Sequence, residues 1–180
     1  MAISAKIHRF ELDISDVDRG VYESAEFRLA RHPSETEIFA ITRVIAYALE
    51  YSQGLAFGRG LAHPDDAALS EPNQMGGVQT WIDIGAPSAD RIHRAMKKAE
   101  RVVIYSHKPM EHVRRALSGR TIHNAEELEI VLLPSDFLGA LEPLLGRTNR
   151  WSILRSDGRL YVTVGEETVE TDISVERLEA

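Results

Sequence analysis

Asp83 stands in a stretch, Val78-Gln-Thr-Trp-Ile-Asp-Ile84, that otherwise has the character of a protein interior. Val78, Thr80, Ile82 and Ile84 alternate with Gln79, Trp81 and Asp83, a period of two that predicts a buried strand with Gln79 and Asp83 on one face. A carboxylate in a central strand needs a reason, because burying its charge is costly. Further oxygen ligands lie nearby in the chain. Asp65, Asp66 and Glu71 occupy the Pro- and Gly-punctuated loop just before this strand, and Glu37 opens a helix upstream. The chain has no cysteine, which removes thiolate metal sites, disulfides and thiol nucleophiles, so metal chemistry would use carboxylates or histidine. The seven histidines, at 8, 32, 63, 93, 107, 112 and 123, show no ligand spacing along the chain. A Gly-x-Ser-x-Gly elbow, a phosphate loop ending in Gly-Lys-Ser/Thr and a His-Glu-x-x-His helix are all absent.

The second chemical signal is cationic. Between positions 91 and 120 lie Arg91, Arg94, Lys97, Lys98, Arg101, Lys108, Arg114, Arg115 and Arg120, against Glu100 and Glu111 alone. The formal net charge of the chain is −7, which argues against a general nucleic-acid coat, since non-specific affinity comes from phosphate neutralisation. The basic run admits two readings: solvated helix faces, or a patch that faces phosphate.

The elements that must position these groups are readable in outline. Residues 3–14 and 21–29 predict two strands joined by a turn at 16–20. Ser34 and Glu37 form a Ser-x-x-Glu capping box that opens a helix to about Tyr51. Its apolar arc comprises Ile38, Ile41, Val44, Ile45, Ala48 and Leu49, with Glu37 inside the arc and Glu35, Arg43 and Glu50 on the opposite side. Residues 55–61 predict a short strand and 62–77 a long irregular loop. After the strand of Asp83, Ser88 caps a helix to about Ala99, and residues 101–106 form another buried strand, which makes a βαβ unit and a locally parallel sheet. A basic helix over 109–117, a strand over 128–133 and a helix over 134–145 follow. The turn Asp157-Gly158 predicts a hairpin of 151–156 with 159–164, its apolar face formed by Trp151, Ile153, Leu160, Val162 and Val164. A last strand spans about 168–173.

At 180 residues, with 43% hydrophobic and 27% charged side chains, the composition is that of a globular chain with one sizeable core. No apolar run reaches membrane-spanning length and the N-terminus carries no signal-like apolar region, so the expectation is a cytoplasmic protein without a membrane partner.

Ala30-Arg-His-Pro-Ser-Glu-Thr-Glu37, Gly77-Val-Gln-Thr-Trp-Ile-Asp-Ile-Gly-Ala-Pro87 and Arg91-Ile-His-Arg-Ala95 together resemble the bacterial YaeQ family, and the resemblance runs over essentially the whole chain as a single domain, 1–180. It implies an α/β (α+β) fold similar to the PD-(D/E)XK restriction-endonuclease-like superfamily: an α/β roll with a mixed β-sheet flanked by helices and extra N- and C-terminal strands. Carried over, the superfamily pattern implies Asp83, Glu37 (or Glu35) and Asp66 (or Asp65 or Glu71) as ligands of Mg²⁺ or Mn²⁺, with no organic cofactor. It further implies Gln79 beside Asp83 and Arg94, Lys97 or Lys98 on the following helix as the stand-in cation, while the basic run makes Arg91 and Arg94 the candidates for phosphate. One position departs from the pattern: Gly85 stands where Asp-x-Lys has its lysine. Arginine cannot replace that lysine as a proton acceptor. Two functions follow from the resemblance. One is a divalent-metal-dependent phosphodiesterase acting on nucleic acid; the other is a catalytically inactive nuclease-like module that binds nucleic acid or a protein partner. The sequence leaves the oligomeric state open.

Overall fold

The computed structural model describes residues 4–179. Strands β1 (Lys6–Asp16) and β2 (Val21–Arg31) lead into helix α1 (Glu37–Leu49). Then come β3 (Ala56–Phe57), β4 (Leu69–Pro72), β5 (Val78–Ile84), α2 (Ala89–Lys98), β6 (Ala99–Ser106), α3 (Met110–Leu117) and β7 (Glu129–Leu132). Helix α4 (Ser135–Leu141), β8 (Thr148–Ser156), β9 (Arg159–Val164), β10 (Glu167–Asp172) and β11 (Val175–Arg177) complete the order. The architecture is mixed α/β, with two mixed sheets flanked by helices. Residue 3, where the sequence places the start of the first strand, lies outside the described residues.

The chain divides into two compact units that interleave in sequence, one comprising 1–51 and 134–173, the other 52–133 and 174–180. The first is built on a five-stranded sheet of order β10-β9-β8-β1-β2. Strand β1 is its hinge, pairing antiparallel with β2 and parallel with β8. Alternation buries Phe10, Leu12 and Ile14 on one face, where Trp151 and Ile153 of β8 and Leu160 and Val162 of β9 join them. The hairpin has the expected register, Trp151 opposite Val164 and Ile153 opposite Val162. Its turn places both Asp157 (φ 51°) and Gly158 (φ 70°) in the left-handed region, as a tight hairpin of the right twist requires. The Asp18 carboxylate accepts from both turn amides at 2.7 and 2.9 Å, and the Gly158 amide is the larger cause holding Asp18 below the usual carboxylate range.

Helix α1 buries Ile41, Val44, Ile45, Ala48 and Leu49, the expected arc. Its N-terminus corrects the sequence reading. Thr36, not Ser34, is the cap, its side chain accepting from the Phe39 amide at 3.1 Å. Ser34 belongs to a preceding turn, where its hydroxyl meets His32 Nδ1. The two acids exchange places accordingly: Glu35 is buried and Glu37 half-buried. A helical wheel does not apply to Glu35, which precedes the helix. Arg43, expected outward, is buried because Glu35 follows it in, at 2.8 Å.

The second unit holds a six-stranded sheet of order β11-β7-β6-β5-β4-β3. Strands β5, β6 and β7 run parallel, as the βαβ pattern predicts, while β4 and β11 add antiparallel flanks. Ser88 caps α2 as expected, accepting from the Arg91 amide at 3.3 Å. Helices α2 and α3 place Ile92, Ala95, Val113 and Leu117 in one cluster with Trp81, Val102, Ile104 and Ile130 from the strands. The opposite strand face, Ile82, Val103, Tyr105 and Val131, is buried too, which is why Val102 to Tyr105 reads as an unbroken apolar run. Two expectations change here. The strand at 55–61 shrinks to Ala56–Phe57, and the loop 62–77 contains β4. Pro72 ends β4 at a register shift beside Glu71, where its missing N–H is tolerated.

Candidate functional site

Asp83 lies on the helix-bearing face of β5 and is 2% exposed. Its partner comes from the first turn of α2, which the short link through Gly85 and the Ser88 cap brings back over the strand end. Arg91 grips the carboxylate with two bonds, Nε to Oδ2 at 2.7 Å and Nη2 to Oδ1 at 2.8 Å. Trp81, two residues earlier on the same face, donates its indole N–H to Oδ2 at 3.0 Å, and the Ala68 amide lies 3.4 Å from Oδ1. Both oxygens are therefore occupied by donors from the protein itself. The Arg91 guanidinium sits 5.6 Å from the Trp81 ring centroid, within cation–π range.

The same arginine ties down the loop before β5. Its Nη1 donates to the Pro64 carbonyl and its Nη2 to the Asp66 carbonyl at 2.6 Å. Charge-assisted bonding to Asp83 is the main reason the guanidinium is held above its ordinary pKa. The loop acids thus approach Asp83 through their backbone, not their side chains. The Asp66 carboxylate turns to Arg59, whose Nε and Nη2 reach it at 2.8 and 2.9 Å and hold it well below the usual carboxylate range. This fold-back needs Gly58: a Cβ there would come within 2.0 Å of the Ala67 carbonyl oxygen.

Glu37, in the first unit, lies 3.7 Å from Arg31, and Glu35 is buried on Arg43. Glu71 lies in β4 opposite Thr80, and Gln79 is half-buried on β5. Asp65 is exposed and, with Pro64, Trp81, Arg91, Arg94 and Lys98, lines a pocket of about 30 Å³, room for a water molecule. Arg94, Lys97 and Lys98 are exposed on α2, and among the described residues none has a carboxylate partner within salt-bridge distance. Within either unit, no three His, Asp or Glu side chains among the described residues are grouped to hold a metal ion.

Gly85 adopts φ +86°, and a Cβ there would stand 3.3 Å from the His107 ring. A lysine at this position would need a left-handed backbone that side chains disfavour. Sequence reasoning missed the Asp83–Arg91 pair although both residues were singled out. The signal was available in principle: a buried acid at the end of a strand, followed by a capped helix whose first turn carries an arginine eight residues on.

Among the described residues no helix is long and apolar enough to cross a membrane. Residues 1–173 match the family model described as YaeQ protein. The proteins named "Uncharacterized protein YaeQ" from Escherichia coli (strain K12) and Salmonella typhi are each 33% identical over 107 residues. That match spans 59% of this chain and 59% of the length of each relative. The crystal structure of YaeQ protein from Pseudomonas syringae superposes with a TM-score of 0.84 at 34% identity, over 97% of each chain. That of YaeQ protein from Xanthomonas axonopodis pv. citri gives 0.84 at 28% identity, over 98% of this chain and all of the other.

Proposed function

This chain belongs to the YaeQ family, and on that premise we propose that it is a catalytically inactive nuclease-like module that holds nucleic acid on the basic face of α2. The observation that carries this reading is the two-bond grip of Arg91 on Asp83. A metal-dependent nuclease of the PD-(D/E)XK kind needs its strand carboxylate open to Mg²⁺ or Mn²⁺, with further oxygens converging on the same ion. Here a fixed positive charge occupies that carboxylate, Asp66 is neutralised by Arg59, and the Asp-x-Lys position is a left-handed glycine. The donor set of the second unit does not fit a divalent cation.

What the pair does instead is mechanical. It pins the 64–66 loop and the start of α2 to β5, so that Arg94, Lys97 and Lys98 project from a fixed helix. They are exposed, and among the described residues no carboxylate lies within salt-bridge distance of them, which leaves them available to phosphate, met by lysine as a point charge and by arginine as a planar fork. The overall acidity of the chain limits such binding to this surface.

The test is anisotropy of labelled single- and double-stranded oligonucleotides, in EDTA, across a salt series. Wild-type protein is expected to bind at low salt, with affinity falling as salt rises. Arg94→Ala, Lys97→Ala and Lys98→Ala together are expected to weaken binding at least about tenfold and to flatten the salt dependence by roughly 0.9 in log–log slope for each duplex-DNA phosphate that is no longer neutralised. Absence of binding at low salt, or binding that ignores the triple change, would rule this surface out.

A further inference from the structure

The outer face of the first unit's sheet carries an arrangement of charge that the nucleic-acid reading does not use. Strand register sets Arg9 directly opposite Arg28 and Glu11 directly opposite Glu26. All four share the face turned away from the buried Phe10 and Leu12, and Arg9, Glu26 and Arg28 are exposed. The result is one row of two cations beside one row of two anions. Like charges placed opposite each other across an antiparallel pair destabilise it, and alternating the signs within each row would have avoided the cost.

The two rows do not close on each other. With Phe10, Phe27, Thr148 and Asn149 they line a slot of about 430 Å³. Among the described residues no salt bridge crosses from one row to the other. Glu11 turns sideways to Arg150 at 2.9 Å, and Arg9, Glu26 and Arg28 have no ion-pair partner among the described residues.

We infer that this face is a self-recognition surface on which a second copy of the chain docks, the arginine row of each copy over the glutamate row of the other. The geometry is that of an isologous interface. A two-fold axis in the plane of the face, running across the strands between the two rows, leaves each strand over its own counterpart and exchanges the rows. Arg9 then meets the other copy's Glu11, Arg28 meets the other copy's Glu26, and both meetings are repeated by symmetry. Next to the rows, Arg150 of β8 lies over Thr148, since Glu11 is opposite Arg150 and Arg9 opposite Thr148, so no like charges collide. A single row of one sign would call for a polyanion or a polycation. Two adjacent rows of opposite sign, two charges each, are complementary to themselves.

Sedimentation equilibrium over a protein and salt series reads this directly. The wild-type chain is expected to dimerise reversibly, the dimer weakening as salt rises. Arg9→Glu with Arg28→Glu, and separately Glu11→Arg with Glu26→Arg, should each weaken it by roughly tenfold or more, since four exposed pairs become repulsions. The chain carrying all four changes restores the pattern with signs reversed and should dimerise again. The two double variants mixed should form the heterodimer that neither forms alone. Circular dichroism confirms that each variant is folded, and the wild-type series stands if one is not. A wild-type chain that stays monomeric throughout, or a dimer that both double variants leave unchanged, overturns the inference.

Discussion

At the scale of single residues the key pair is Asp83 and Arg91. Truncating one side of a buried pair costs more than the pair contributes, because the charge left behind has no partner. Asp83→Asn is therefore expected to lower stability by about 2–4 kcal/mol in denaturant unfolding, at unchanged m-value, while Arg91→Lys, which keeps the charge but cannot make both bonds, should lose less. Neither loss should depend on Mg²⁺ or Mn²⁺. If Asp83→Asn is neutral in the absence of metal, and metal stabilises only the wild type, the carboxylate is a ligand and the clamp is wrong. His107 supplies a separate pH signature. Burial, and then the charge of Lys108, push its ring below the ordinary value of 6.5. The unfolded chain thus takes up this proton at a higher pH than the folded one, so the folded state loses ground as pH falls below about 6.5. Urea midpoints between pH 7 and 5 should decline in the wild type and decline less in His107→Gln; parallel declines would show the ring to be uninvolved.

At the scale of elements, the turn between β5 and α2 decides whether the missing lysine could be restored. Gly85→Lys forces a side chain into the left-handed region against His107 and is expected to cost about 1–2 kcal/mol of stability. Metal-dependent cleavage should not appear with it, because Asp83 remains occupied; its appearance in a gel assay would mean that one residue alone separates this chain from a nuclease. The legibility of the elements divides along physical lines. Period-two alternation, the Ser88 cap and the Asp157-Gly158 turn are local signals, and β5, α2 and the β8–β9 hairpin were readable from them. The capping box at Ser34 was plausible chemistry competing with Thr36, two residues later, which wins the Phe39 amide. Strand β4 was hidden by Pro72 and its flanking loop, and β11, three residues long, carries no pattern of its own. The parallel pairing of β1 with β8 joins positions some 140 apart, and nothing local encodes it. For the site, residue types pointed to Asp83, Arg91 and Arg94, but whether Arg91 faces phosphate or Asp83 depends on where the helix N-terminus lands.

At the scale of the whole molecule, a net charge of −7 and a basic α2 coexist because charge is distributed by surface, and only the surface offered to a polyanion matters to it. Membership of the YaeQ family and superposition on two YaeQ crystal structures fix the fold, and fold does not fix chemistry. The chemistry rests on side chains: Asp83 and Asp66 are already paired with Arg91 and Arg59, while Arg94, Lys97 and Lys98 are exposed. The proposed function requires that nucleic acid be held and left intact, and one experiment joins both halves: end-labelled oligonucleotide, bound to saturation by the anisotropy criterion, is incubated with Mg²⁺ or Mn²⁺ and resolved on a denaturing gel for wild type and Asp83→Asn. The expected result is full-length strand in every lane. Metal-dependent shortening by the wild type that disappears in Asp83→Asn would contradict the claim.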